Sequence, residues 1–219
     1  MHSQAIFCMN EERNPWNLLL VGAGGIGTQL TELLVPALRR VNLKGTITLM
    51  DADVVEATNL GHQRYTKDDI GLAKVSAIAR RLDDENTTLR VKGVVENLRS
   101  AEQLDGYDLV VVCVDRPEPR RMVHAIDVPW LDVRCSGDGW MTLSSATQTE
   151  LLERMTPDHE PASCQVKGAL EAGNLEFGFA VAAAFGAQWA LQRWRGQLAA
   201  AQSMGSLTYG ALAFPEVEA

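Results

Sequence analysis

Short apolar runs that end in glycine or polar residues alternate along the chain with longer stretches whose apolar residues recur at helical spacing. Trp16 to Val21 (WNLLLV) is one such run, and it stops at glycines, as a strand buried on both faces would. A helix is expected over Gly25 to Arg40, where Ile26, Leu30, Leu33, Leu34, Ala37 and Leu38 fall near one face, with Pro36 predicting a kink or an early end. Thr46 to Met50 predicts a second strand ending at Asp51. Gly71 to Leu82 then predicts a helix whose Arg80 and Arg81 suit the negative end of its dipole.

Leu89 to Val95, Asp108 to Val114 and Val128 to Val133 extend the strand series, with a helix over Glu118 to Ile126. This alternation implies an α/β fold, a doubly wound and mainly parallel sheet with helices on both faces. From Trp140 to Gln148 the pattern favours an antiparallel strand, and Met155 to Gly173, rich in Pro, Gly and polar residues, reads as a crossing loop. Leu175 to Trp194 predicts a long apolar helix and Ser206 to Phe214 a terminal strand, so the sheet is expected to carry an antiparallel C-terminal extension. A single domain is expected over 1–219, with a nucleotide-binding part at about 16–134 and the loop, helix and strand at about 135–214.

Charge and composition remove several function classes. The formal net charge is −8, and Lys and Arg are scattered, so the chain is not expected to bind nucleic acid. No apolar run approaches the roughly 20 residues of a membrane helix. The N-terminal MHSQAIFCMNEER lacks the basic-then-apolar order of a signal peptide, which points to a cytoplasmic protein. Cys8, Cys113, Cys135 and Cys164 are widely separated and form no CxxC pair, so they suggest neither a zinc knuckle nor a disulfide framework.

The first candidate chemistry is Gly22-Ala23-Gly24-Gly25-Ile26-Gly27, which leaves a predicted strand and opens a predicted helix. Without side chains at Gly22, Gly24, Gly25 and Gly27, the backbone can approach a phosphate lying at the positive helix end. Asp51, at the tip of the second strand, suits a ribose, whose hydroxyls its carboxylate can accept. These features alone describe an NAD-dependent oxidoreductase as well as an ATP-binding enzyme.

What separates the two is the segment from Asp51 to Lys74, DADVVEATNLGHQRYTKDDIGLAK. With the glycine loop it resembles the ThiF/MoeB-type adenylyltransferases, which carry an Asp-x-Asp-x-Val segment, an Asn-Leu turn and a Gly-x-x-Lys. Here these are Asp51 and Asp53, Asn59 and Leu60, and Gly71 with Lys74. Cys113-Val114-Asp115 followed by Arg120 resembles the family's Cys-x-Asp segment, and the likeness runs from about residue 16 to residue 134.

The resemblance implies a Rossmann-like fold and activation of the C-terminal carboxylate of a small ubiquitin-like protein or peptide as an acyl-adenylate, with ATP and Mg²⁺. It assigns the nucleotide to the glycine loop, Asp51, Asp53, Asn59 and Lys74, the phosphate charge to Lys74, and the metal to Asp115. It also implies a homodimer. Arg13 is the loose candidate for an arginine lent across the interface.

The chain departs from the family at identifiable places. Where relatives read Asn-Leu-x-Arg-Gln it has Asn59-Leu60-Gly61-His62-Gln63-Arg64, so the phosphate-contacting arginine is either replaced by His62 or displaced to Arg64, and Arg64 is favoured because it is always cationic. The asparagine usual after the magnesium aspartate is Arg116, and the zinc-binding CxxC pairs are missing, so no structural zinc is expected. Cys164 lies in a segment that resembles the family's cysteine, crossing loop and long helix, which makes it the candidate for a thioester, with Lys167 or His159 as activating neighbours and Cys135 as the less favoured nucleophile. The alternatives carried forward are a nucleotide-binding scaffold with reduced catalysis and an NAD-dependent oxidoreductase.

Overall fold

The computed structural model describes residues 15–160, 163–166, 168–169 and 171–216. Eight strands among them form one sheet: β1 (Trp16–Val21), β2 (Gly45–Met50), β3 (Leu89–Val94), β4 (Leu109–Val112), β5 (Trp130–Ser136), β6 (Gly139–Ser144), β7 (Gln202–Ser206) and β8 (Gly210–Ala211). Their spatial order is β3-β2-β1-β4-β5-β6-β7-β8. The pairings from β3 through β5 are parallel and those from β5 through β8 antiparallel. The strands are connected by α1 (Gly25–Arg40), α2 (Lys74–Leu82), α3 (Pro117–His124), α4 (Thr149–Met155) and α5 (Gly178–Trp194).

Strand β1 shows why an unbroken apolar run makes a central strand. It is hydrogen-bonded to β2 on one side and β4 on the other, and its residues serve two cores in alternation. Leu18 and Leu20 pack with Leu30 and Leu34 of α1, Ile78 of α2 and Phe179 of α5. Leu19 and Val21 pack with Leu98, Leu104, Val112 and Val123 of the opposite face. From Leu18 to Val21 both faces are dry and no position is left for a polar residue, while Asn17 sits at the half-buried start of the strand; each fully buried leucine contributes about 1.5–3 kcal/mol of transfer free energy.

Helix α1 runs through Pro36 to Arg40 rather than ending early. Pro36 is exposed, on the side of the helix away from the core, while Leu34, Val35 and Leu38 hold the last turns in the core. Helix α2 begins at Lys74, later than the expected Gly71, because Gly71 adopts φ +85° and Ala73 bridges to Val54. The expected Trp140 to Gln148 strand ends at Ser144, and helix α4 fills the stretch between it and the crossing loop, sharing only Met155 with the loop; only Leu151 of it is buried, too little apolar periodicity to mark a helix in sequence. The expected terminal strand from Ser206 to Phe214 is instead a hairpin, β7 turning at Leu207 to Tyr209 into the short β8. No helix among the described residues is long and apolar enough to cross a membrane.

Candidate functional site

In a parallel sheet of this order, the loops leaving β1 and β4 diverge to opposite faces and open a crevice at the strands' C-terminal ends. A cleft of about 790 Å³ lies there. It is lined by Gly22, Gly24 and Gly25 after β1, Asp51 and Asp53 after β2, Lys74 at the start of α2, and Asp115 and Arg116 after β4. Residues far apart in the chain thus meet because each follows the C-terminal end of a strand or opens the helix beyond it.

The glycine loop is held from several sides. Gly22 adopts φ +103°, and a Cβ there would lie 2.9 Å from the Cys113 carbonyl oxygen. A Cβ on Gly27 would lie 2.0 Å from the Gly22 carbonyl oxygen, so the turn closes only with glycine there. The peptide of Ala23 is gripped at both ends: its N–H donates to Asp51 Oδ2 at 2.7 Å, and its carbonyl accepts from the Tyr65 hydroxyl at 2.7 Å. Asp51 Oδ1 accepts from the Asp53 N–H at 2.8 Å. Burial pushes the Asp51 carboxyl above its ordinary range, against the opposing effect of those two N–H donors.

Lys74 is buried, and its Nζ lies 2.9 Å from Asp53 Oδ2. Asn59 does not line this cleft: its Oδ1 accepts the Glu56 N–H at 2.9 Å, and the residue borders a separate, smaller recess with Asp53 and Lys74. Arg64 is not brought to the cleft. It is exposed, with its Nε 2.8 Å from Glu32 Oε2 on α1. His62 lines the cleft instead, buried, with Nδ1 lacking a partner among the described residues. Burial, and then the charge of Lys74, hold His62 below the usual imidazole range.

Cys164 and Cys135 both line the cleft, and the Cys164 carbonyl accepts the Gly137 N–H at 2.9 Å, which fixes the crossing loop against the end of β5. The Cys135 thiol donates to Cys164 and, outweighing burial, lowers the Cys164 thiol below its ordinary range while Cys135 itself is pushed up. Cys113 is tied to the Val21 and Gly22 carbonyls, and burial pushes it up as well. His159 bonds the Glu160 carbonyl and does not line the cleft; Cys8, Arg13 and Lys167 lie outside the described residues.

Sequence reasoning missed an ionic cluster in the wall of the cleft. Asp132 on β5 is fully buried, and its carboxylate meets Arg120 Nη1 at 3.0 Å, His124 Nε2 at 3.0 Å and Arg134 Nη2 at 2.5 Å. Arg120 also donates to the Val114 carbonyl, bracing the exit of β4. Burial alone would raise the Asp132 carboxyl, but the Arg120 charge and the other donors hold it well below the usual carboxylate range. The signal was present in the sequence: an aspartate inside the apolar run VPWLDV has to be paired if that run is a buried strand.

No group of three or more His, Cys, Asp or Glu side chains among the described residues is arranged to hold a metal ion. Asp115 is exposed at the cleft as a single carboxylate, the kind of donor Mg²⁺ uses when substrate phosphates complete its shell.

Comparison with known proteins bears on the family and the fold. Ubiquitin-like modifier-activating enzyme 5 of Drosophila persimilis is 31% identical over 121 residues, covering 48% of this chain and 30% of that protein. Adenylyltransferase and sulfurtransferase UBA4 of Lodderomyces elongisporus is 31% identical over 126 residues, 56% of this chain and 27% of that protein. The matched region thus spans about a third or less of these curated relatives. Among solved structures, E. coli MccB with ATP superposes with a TM-score of 0.68 at 18% identity, over 91% of this chain and 64% of that one. PaaA gives a TM-score of 0.66 at 16% identity, over 90% of this chain and 62% of that one. These two show the shared fold. The ThiF family's sequence profile matches residues 13–212, and the chain belongs to the ThiF family.

Proposed function

We propose that this chain binds Mg·ATP in the cleft and adenylates the C-terminal carboxylate of a small ubiquitin-like protein or peptide. The observation that carries the reading is the convergence of the glycine loop, Asp51, Lys74 and Asp115 on one cleft at the switch point of the sheet. The names of the relatives, a ubiquitin-like modifier-activating enzyme and an adenylyltransferase, support it.

The division of labour follows from charge. Each Asp51 oxygen accepts one backbone N–H and keeps a lone pair for a ribose hydroxyl. Lys74 faces the phosphates as a point charge, Asn59 supplies a neutral contact from the smaller recess, and Asp115 holds Mg²⁺. Bound there, the metal would neutralise phosphate charge. A carboxylate oxygen of the substrate then forms a bond to the α-phosphorus while the bond to the αβ-bridging oxygen breaks, and pyrophosphate leaves with that electron pair. In a second step the Cys164 thiolate, to which Cys135 donates, attacks the acyl carbonyl and releases AMP, leaving a thioester. The enzyme acts as a homodimer in the cytoplasm on this reading.

Isotope exchange between pyrophosphate and ATP, run with a panel of purified ubiquitin-like proteins and peptides with free C-termini, tests the first step. Exchange that requires one of them supports adenylation. ATP binding without exchange across the panel favours the scaffold reading. With an active partner, Cys164→Ala retains exchange and loses the reducible thioester band; a persisting band overturns the relay.

A further inference from the structure

The cations in the cleft are unequally occupied. Lys74 is paired with Asp53, and Arg120 and Arg134 with Asp132. Arg99 and Arg116 also line the cleft, and neither guanidinium has an ion-pair or hydrogen-bond partner among the described residues. Arg64, which would carry the phosphate charge if the family's arginine were merely displaced, is bound to Glu32 and 61% exposed outside the cleft. His62, the other substitute, is buried and held toward its neutral form by burial and by Lys74.

We propose that Arg116 is the cation that receives the β- and γ-phosphates of ATP and stays with pyrophosphate as it leaves. This rests on the adenylation reading above and names a residue within it. The segment from Cys113 to Arg116 lies against the glycine loop: a Cβ on Gly22 would be 2.9 Å from the Cys113 oxygen and 3.2 Å from Val114 Cγ1. Arg116 is the N-cap of α3, and Pro117 follows it at the first helical position, so its backbone is set while its side chain stays exposed to the cleft. Arg99 follows β3, which is separated from β1 by β2, and so starts farther from the loop.

The chemistry requires such a group. As the bond from the α-phosphorus to the bridging oxygen breaks, its electron pair adds charge to the departing pyrophosphate, and no proton need move. A guanidinium meets two phosphate oxygens at once and keeps its charge at any working pH. Arg116 therefore contacts the polyphosphate and not the adenosine.

Calorimetric titration with ATP and with AMP, each in Mg²⁺, separates these contributions. Arg116→Ala and Arg116→Gln are expected to weaken ATP about tenfold or more, as for a lost charge-assisted hydrogen bond, and AMP by less than about twofold. Arg64→Ala and Arg99→Ala are expected to leave both ligands within about twofold. The inference is overturned if both Arg116 variants bind ATP as the wild type does, if they lose ATP and AMP equally, or if Arg64→Ala or Arg99→Ala carries the selective loss. A wild-type protein that binds neither nucleotide overturns the adenylation reading along with it, whereas normal ATP binding indifferent to Arg116 removes only this assignment.

Discussion

Lys74 Nζ lies 2.9 Å from Asp53 Oδ2, an ammonium whose side chain is 8% exposed held by a carboxylate that is 66% exposed. The buried partner depends on the exposed one, because an ammonium out of water needs a counter-ion and a carboxylate in water does not. A phosphate entering the cleft can take over that role. Asp53→Asn should therefore lower the melting temperature of the free protein and enlarge the increment produced by saturating Mg·ATP, both read by thermal unfolding. A smaller increment than in the wild type would mean that Asp53 itself binds the nucleotide.

Asp132 presents the opposite arrangement, one fully buried carboxylate serving Arg120, His124 and Arg134. Asp132→Ala leaves two largely buried guanidinium groups without their counter-ion and should cost about 3–5 kcal/mol in urea unfolding. A loss under about 1 kcal/mol would show that the cluster is hydrated and contributes little.

The pH dependence of stability should carry the signature of His62. Its folded pKa is depressed from 6.5 by burial and by Lys74. Above 6.5 the imidazole is neutral in both states and its contribution is complete. As pH falls below 6.5 the unfolded chain takes up the proton first, so stability is lost progressively until the folded pKa is passed. His62→Gln should flatten that part of the stability profile in urea titrations just below pH 6.5; an unchanged slope would contradict the buried, neutral assignment.

Reactivity of Cys164 should depend on its neighbour. Donation from the Cys135 thiol lowers the Cys164 pKa, so Cys135→Ala should move the pH midpoint of Cys164 alkylation upward, followed with iodoacetamide and peptide mass analysis. A midpoint that stays in place or falls would remove Cys135 from the activation of this thiol.

What the sequence made legible was local and repetitive. Strand β1 matched its apolar run from Trp16 to Val21 because burial on both faces leaves a continuous signal, and α1 began at Gly25 because the glycine loop marks its start. The weakly buried α4 and the β7 to β8 hairpin left no comparable periodicity. At the site, the loop and Asp51 were readable because each follows a strand, and Lys74 and Asp115 came from the family resemblance; all of them line one cleft. The pairing of Arg64 with Glu32 and the identity of the partners of Asp132 were not, since they depend on which side chains separate elements bring together.

The most direct test of the account is thermal unfolding of the wild type and Lys74→Ala with Mg·ATP, Mg²⁺ alone or NAD. A ligand at 100 times its Kd stabilises the native state by about 2.7 kcal/mol. The account predicts a rise in melting temperature with Mg·ATP that Lys74→Ala abolishes, and none with NAD; a rise with NAD alone would contradict it.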